Sequence, residues 1–179
     1  MVPIVCFVGL SGAGKTTLLE QIVARLKNRG FRVAAIKHDV HGFDIDQVGK
    51  DSWRLRQAGC DLVVVSSSRR MALIQERSEE ASLEEIASLL ENRADIILAE
   101  GYKHSDYAKI AVCRSTVDKS LFGKLGQLLA VVSDQEMPWD VPRFGFAEID
   151  PVVDLIVEHT IGSRTGAALR VPGKITPPS

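Results

Sequence analysis

The chain has 179 residues, 45% of them hydrophobic and 25% charged, and carries a net charge of −1. That length suffices for one domain with a substantial core, and the composition is ordinary for a soluble globular protein. Near-neutral charge advertises neither nucleic acid nor an anionic membrane as partner, and no apolar run approaches the length of a membrane span.

The first predicted strand, Ile4-Val5-Cys6-Phe7-Val8, begins almost at the N-terminus and leaves no room for a signal peptide. It runs into Gly9-Leu10-Ser11-Gly12-Ala13-Gly14-Lys15-Thr16, which fits G-x-x-x-x-G-K-[ST], the phosphate-binding loop. Leu18, Leu19, Ile22, Val23 and Leu26 then share one face of a helix starting near Lys15. The motif therefore lies between a strand and a helix N-terminus, as its chemistry requires. Its glycines turn the backbone tightly and aim N–H groups at an anion, and the helix end adds unpaired donors and partial positive charge. Lys15 is expected on the β- and γ-phosphates, the Thr16 hydroxyl on Mg²⁺ and Thr17 on the α-phosphate.

Gly30 reads as the end of the first helix, and Phe31–Lys37 as a second strand. The polar loop His38-Asp39-Val40-His41-Gly42-Phe43-Asp44-Ile45-Asp46 comes directly after that strand and is expected at the nucleotide rim. Asp39 there could reach the metal directly or through a water. A nucleotide-responsive switch, a direct metal or substrate site and a plain polar loop all remain open for this segment, which lacks H-x₃₋₅-H spacing. Asp51 reads as the cap of a short helix through Trp53, Leu55 and Ala58 that Gly59 closes.

Leu62–Val65 reads as a third buried strand and Met71–Ile74 as a fourth, antiparallel to its neighbour. Ser82-x-x-Glu85 is a capping box that opens a helix with Leu83, Ile86, Ala87 and Leu90 on its inner face. Asp95–Glu100 is a strand ending in an acid. An acid at the carboxyl end of a strand shares its rim with the phosphate loop, where Glu100 could hold a metal-bound water or orient the attacking one. Lys109–Cys113 and Leu128–Val132 are further strands, and Asp150-Pro151 starts the last helix. The alternation predicts an α/β fold of the P-loop NTPase type, a mostly parallel twisted sheet with helices on both faces. The domain spans 1–162, and 163–179 reads as a flexible basic tail. Cys6, Cys60 and Cys113 show no C-x-x-C and read as reduced, buried cysteines of a cytoplasmic protein.

GLSGAGKTTLL, IKHDVHGFDIDQVGKDSWRLRQAG and ILAEGYKHSDYAKIAV together resemble the molybdopterin-guanine dinucleotide biosynthesis protein B family, MobB, over roughly the first 160 residues. The resemblance implies a P-loop GTP-binding protein with weak GTPase activity that forms a homodimer. It implies assistance to a MobA-like guanylyltransferase, which attaches GMP to molybdopterin, and to other molybdenum cofactor biosynthesis proteins. By the motif matches, Gly9, Ser11, Gly12, Ala13, Gly14, Lys15, Thr16 and Thr17 would bind GTP phosphates and Mg²⁺. Glu100 would be the strand-end acid and Asp39 the switch-loop acid, with Thr16, Asp39 and Glu100 toward the metal and Lys15, Glu100 and Asp39 toward hydrolysis. The chain has no N-K-x-D segment to read guanine, and Asp134 in Val132-Ser133-Asp134 is the candidate substitute. Leu10 stands where some dimeric ATPases place a lysine, which argues against a partitioning-type ATPase. The alternatives are a small-molecule kinase using the same grip and a non-catalytic, nucleotide-switched adaptor.

Overall fold

The computed structural model describes residues 1–39, 42–114 and 125–165, without the side chains of 163–165. The predicted roles of His41 and of the tail beyond Thr165 lie outside these residues.

Two compact units result: Met1–His38 with Leu83 onward, and Asp39–Ser82 between them. The first unit is built on six parallel strands in the order β2 (Val33–Lys37), β5 (Ile96–Glu100), β1 (Ile4–Val8), β6 (Ala108–Val112), β7 (Leu128–Val132) and β8 (Arg143–Phe144). Parallel strands need crossover connections, and their helices cover the sheet faces, which is why β1, β6 and β7 are buried along their whole length. Successive side chains alternate between two cores. Val5, Phe7, Leu98 and Ile110 face Leu18, Ile22 and Leu26 of α1 (Lys15–Asn28) and Val152, Val153 and Ile156 of α4 (Ile149–Thr165). Cys6, Val8, Ile97, Ala99 and Val131 face Leu83 and Ala87 of α3 (Leu83–Ser88). The expected α/β sheet with helices on both faces is what forms. Helix α4 runs three residues past Gly162, so the chain stays helical beyond the predicted start of the tail.

The second unit holds α2 (Asp51–Gln57) and an antiparallel pair, β3 (Leu62–Ser66) and β4 (Met71–Gln75). The antiparallel expectation for β4 holds, but β3 is not the buried strand its apolar run suggested. Leu62 is 50% and Val64 51% exposed, because β3 pairs with β4 alone and belongs to a separate two-stranded sheet. Asp51 is the first residue of α2 and not its cap; Lys50 takes the cap position in extended backbone, without a side-chain cap bond. Arg69 and Arg70 lie in the turn between the strands, where the Ser67 N–H donates to the Arg70 carbonyl at 2.8 Å. Of the three free cysteines, Cys6 and Cys113 are buried, whereas Cys60 is exposed just past the turn that ends α2.

Candidate functional site

The phosphate loop leaves β1 at the carboxyl edge of the sheet, where the strand order reverses between β5 and β6, and such switch points place ligands in the crevice. Gly9 begins the loop against β6: a Cβ there would lie 2.2 Å from the Val112 carbonyl oxygen, so only glycine fits. Gly14, at φ 90°, is the cap residue of α1, with no side-chain cap bond and no acid in the first turn. The first-turn N–H groups are thus not claimed by a capping side chain or offset by a carboxylate, the condition for an anion-binding helix end.

Lys15 and Thr16 are the first residues of α1, and the Lys15 side chain points back over the loop. The Lys15 amine donates to the Gly9 carbonyl at 3.2 Å and the Leu10 carbonyl at 2.9 Å, and lies 3.9 Å from Glu100 Oε1. The Thr16 hydroxyl donates to Glu100 Oε2 at 2.9 Å. Glu100 ends β5, the neighbour of β1, and register pairs it with Phe7. A strand-end acid therefore meets the loop lysine and the loop threonine at one point, as expected. Thr16 Oγ1 and the Glu100 carboxylate form a pair of hard oxygen donors suited to a small divalent cation. Ser11 and Gly12 are exposed on the loop, Ala13 packs into the core beneath it, and Thr17 is exposed on the first turn.

The backbone around Glu100 is held firmly. The His38 N–H donates to the Glu100 carbonyl at 3.0 Å and the Gly101 N–H to the Phe7 carbonyl at 3.0 Å. The His38 ring stacks on Tyr102, with centroids 4.7 Å apart. Lys109 is fully buried in β6, and its amine donates to the carbonyls of Ser105 and, at 2.8 Å, Tyr107. Burial lowers its pKa, and those carbonyls satisfy a charge that desolvation would otherwise penalise. Lys109 thereby ties the β5–β6 connection to the sheet.

Asp134 lies just past β7. Its Oδ1 accepts the Phe146 N–H at 3.3 Å, which joins the β7 rim to the connection between β8 and α4. The phosphate-loop residues, Glu100 and Asp134 all belong to the first unit, at the ends of β1, β5 and β7. Asp39 is exposed and opens the second unit. Farther along the same polar loop, Ser52 Oγ donates to Asp46 Oδ1 at 2.7 Å. Arg56 lies 3.5 Å from Asp44, 3.5 Å from Asp46 and 2.7 Å from Glu76. These acids are engaged within the unit, and among the described residues no group of three metal-ligating side chains is assembled. No helix of the described residues is long and apolar enough to cross a membrane.

Sequence reasoning missed two neighbours of the loop. Arg114, just beyond β6, and Phe146, just beyond β8, both approach Gly14. Neither lies in a recognisable motif; only the strand order, with β6 beside β1, could have signalled Arg114.

The family profile described as Molybdopterin guanine dinucleotide synthesis protein B matches residues 4–134. The molybdopterin-guanine dinucleotide biosynthesis adapter protein of Escherichia coli (strain K12) is 36% identical over 165 residues, covering 88% of this chain and 93% of its own. The protein of the same name from Haemophilus influenzae is 33% identical over 167 residues, covering 91% and 94%. The crystal structure of a MobB protein homolog from Bacillus stearothermophilus superposes with a TM-score of 0.69 at 25% identity, covering 88% of this chain and 97% of that one.

Proposed function

The chain belongs to the MobB family, and on that premise we propose that it is a GTP-binding adapter with slow GTPase activity in molybdopterin guanine dinucleotide biosynthesis. In this reading it acts in the cytoplasm beside a MobA-like guanylyltransferase and other proteins of the same biosynthesis. The observation that carries the nucleotide part is the convergence of Lys15 and Thr16 on Glu100 at the mouth of the loop. Gly9, Ser11, Gly12 and Gly14 supply backbone N–H donors, Ala13 shapes the loop through its own N–H bond to the Leu10 carbonyl at 3.2 Å, and Lys15 and Thr17 reach phosphate oxygens.

Mg²⁺ fits the donor set. Thr16 Oγ1 and the Glu100 carboxylate are hard oxygen donors already brought together at the loop by their mutual hydrogen bond, and such oxygens are the ligands this cation takes. Thr16 and Glu100 would hold it; when bound, it would neutralise charge on the β- and γ-phosphates. Glu100 orients the attacking water, and Lys15 absorbs charge that develops on the γ-phosphate in in-line displacement. Asp134 accepts from guanine. A homodimer completes the reading, supported by the exposed apolar face that Leu62, Val64, Met71 and Leu73 form on the two-stranded sheet.

The test is calorimetric competition between GTP and ATP with Mg²⁺, and then single-turnover hydrolysis. GTP binds in preference, Lys15→Ala loses triphosphate binding with the fold intact, and Glu100→Ala lowers hydrolysis more than affinity. Equal affinity for the two nucleotides rejects the guanine assignment, and undiminished binding by Lys15→Ala rejects the site. The second reading, a nucleotide-switched adapter without turnover, is favoured by the word adapter in the relatives' names. Lasting GTP binding without hydrolysis, even beside a guanylyltransferase, would select it.

A further inference from the structure

Beside the phosphate loop stands a cation that lies outside the loop's own motif. Arg114 comes just after β6, the strand hydrogen-bonded next to β1, so the sheet brings it to the rim where the loop departs. A Cβ built on Gly14 would lie 3.6 Å from Arg114 Nη2 and 3.8 Å from its Nε. The same point is 3.6 Å from Phe146 Cε1, and the guanidinium carbon stands 4.6 Å from the centre of the Phe146 ring. Phe146 itself is fixed: its ring packs against the α1–α4 core, and its N–H is bonded to Asp134. Three connections, those after β1, β6 and β8, therefore meet at the residue that caps α1.

The chemistry of this contact points to an anion. A guanidinium on a ring face keeps its in-plane N–H donors available, whereas a carboxylate partner would consume them. Cation–π pairing at an exposed position is a weak hold, yet it fixes the plane of the guanidinium. The described partner of Arg114 is a ring and not an acid, so its charge is not neutralised by that contact. It lies against the helix end whose N–H groups and dipole already favour negative charge.

We propose that Arg114, seated on Phe146 against Gly14, is a phosphate-binding residue of this site and donates to the polyphosphate of a bound nucleoside triphosphate. The inference rests on the nucleotide reading of the loop and adds to it a cation supplied in cis by the neighbouring strand. Phe146 is the positioning residue that aims the guanidinium.

The test uses the full chain with Mg²⁺ and GTP, measured by calorimetry over a range of salt concentrations. Arg114→Ala weakens GTP binding about tenfold or more, the size expected for lost charge-assisted hydrogen bonds. It also flattens the dependence of affinity on salt, which a merely structural role would not do. Arg114→Lys keeps the charge without the fork and recovers part of the loss. Phe146→Leu keeps the cation but removes its seat and falls between the wild type and Arg114→Ala. Thermal melting of Arg114→Ala alone stays close to wild type, since the residue is exposed. Wild-type affinity and salt dependence in Arg114→Ala, with binding lost in Lys15→Ala, would overturn the proposal and spare the loop. Absence of GTP binding by the wild-type chain would sink both together.

Discussion

Strands β7 and β3 are both apolar runs of five residues, Leu-Leu-Ala-Val-Val and Leu-Val-Val-Val-Ser, and they meet opposite fates. Every residue of β7 is buried, while only Val63 of β3 is. The difference lies in their connections. Strand β7 has a parallel neighbour on each side, β6 and β8, and parallel pairing obliges the chain to cross over a face and cover it. Strand β3 is joined to β4 by the four residues Ser67–Arg70, too few for a crossover, so the pair is a hairpin. A hairpin pairs one edge and needs cover on one face at most. Apolar composition decides that a segment is a strand; the length of the connection decides how much of it is buried.

The largest expected effect sharpens this contrast. Phe7 is wholly buried between β1 and the α1–α4 layer. Phe7→Ala is expected to cost about 3–5 kcal/mol in urea unfolding, the usual cost of emptying an aromatic site in a core. A loss below about 1 kcal/mol would mean that the layer above β1 closes over the gap, and the two sheets would then differ less than their burial indicates.

That layer was readable from periodicity alone. Apolar residues of α1 recur at helical spacing, β1 is continuously apolar, and the glycines and Lys15-Thr16 stand between them. Glu100 was equally readable, because an acid closing an apolar run falls at the same edge as the loop that leaves β1. Contacts between distant segments were not readable. Lys109 sits at the start of an apolar run, where a lysine looks like a strand end. Its burial depends on the carbonyls of Ser105 and Tyr107, which a turn brings back over it. Arg114 and Phe146 reach Gly14 only because β6 is beside β1 and Phe146 comes just after β8. Leu62–Val65 misled for the opposite reason: the local signal for a strand was right, and nothing within the run states how many neighbours it has. Asp51 looked like a cap by residue type, but Lys50 already has the extended backbone that a cap requires.

A smaller effect tests the junction of the sheet with the loop. Gly9→Ala would press a methyl group into the Val112 carbonyl, 2.2 Å from where its carbon must lie. Strands β1 and β6 must part at their carboxyl ends to admit it. A destabilisation of about 2 kcal/mol is expected, within the range for overpacking. Calorimetry with GTP should show at least a tenfold loss beside it, because the loop departs at this residue. Stability lost with binding retained would separate the packing role of Gly9 from any role in shaping the loop.

The smallest effect on stability belongs to the hairpin. Val64 and Leu73 are directly paired across β3 and β4, and are 51% and 54% exposed. Replacing both with threonine puts a β-branched residue of good strand preference at each position and removes apolar surface that the single chain does not bury. Unfolding of dilute protein should change by no more than about 1 kcal/mol, since half-exposed side chains forfeit little transfer free energy. The same pair of substitutions should move the sedimentation profile from dimer to monomer, because the apolar face is then no longer worth covering with a second copy. A loss above about 2 kcal/mol at dilution would show this face to be internal to the fold. A dimer that survives the substitutions would place the contact between copies elsewhere and leave the hairpin's exposed face without its proposed cover.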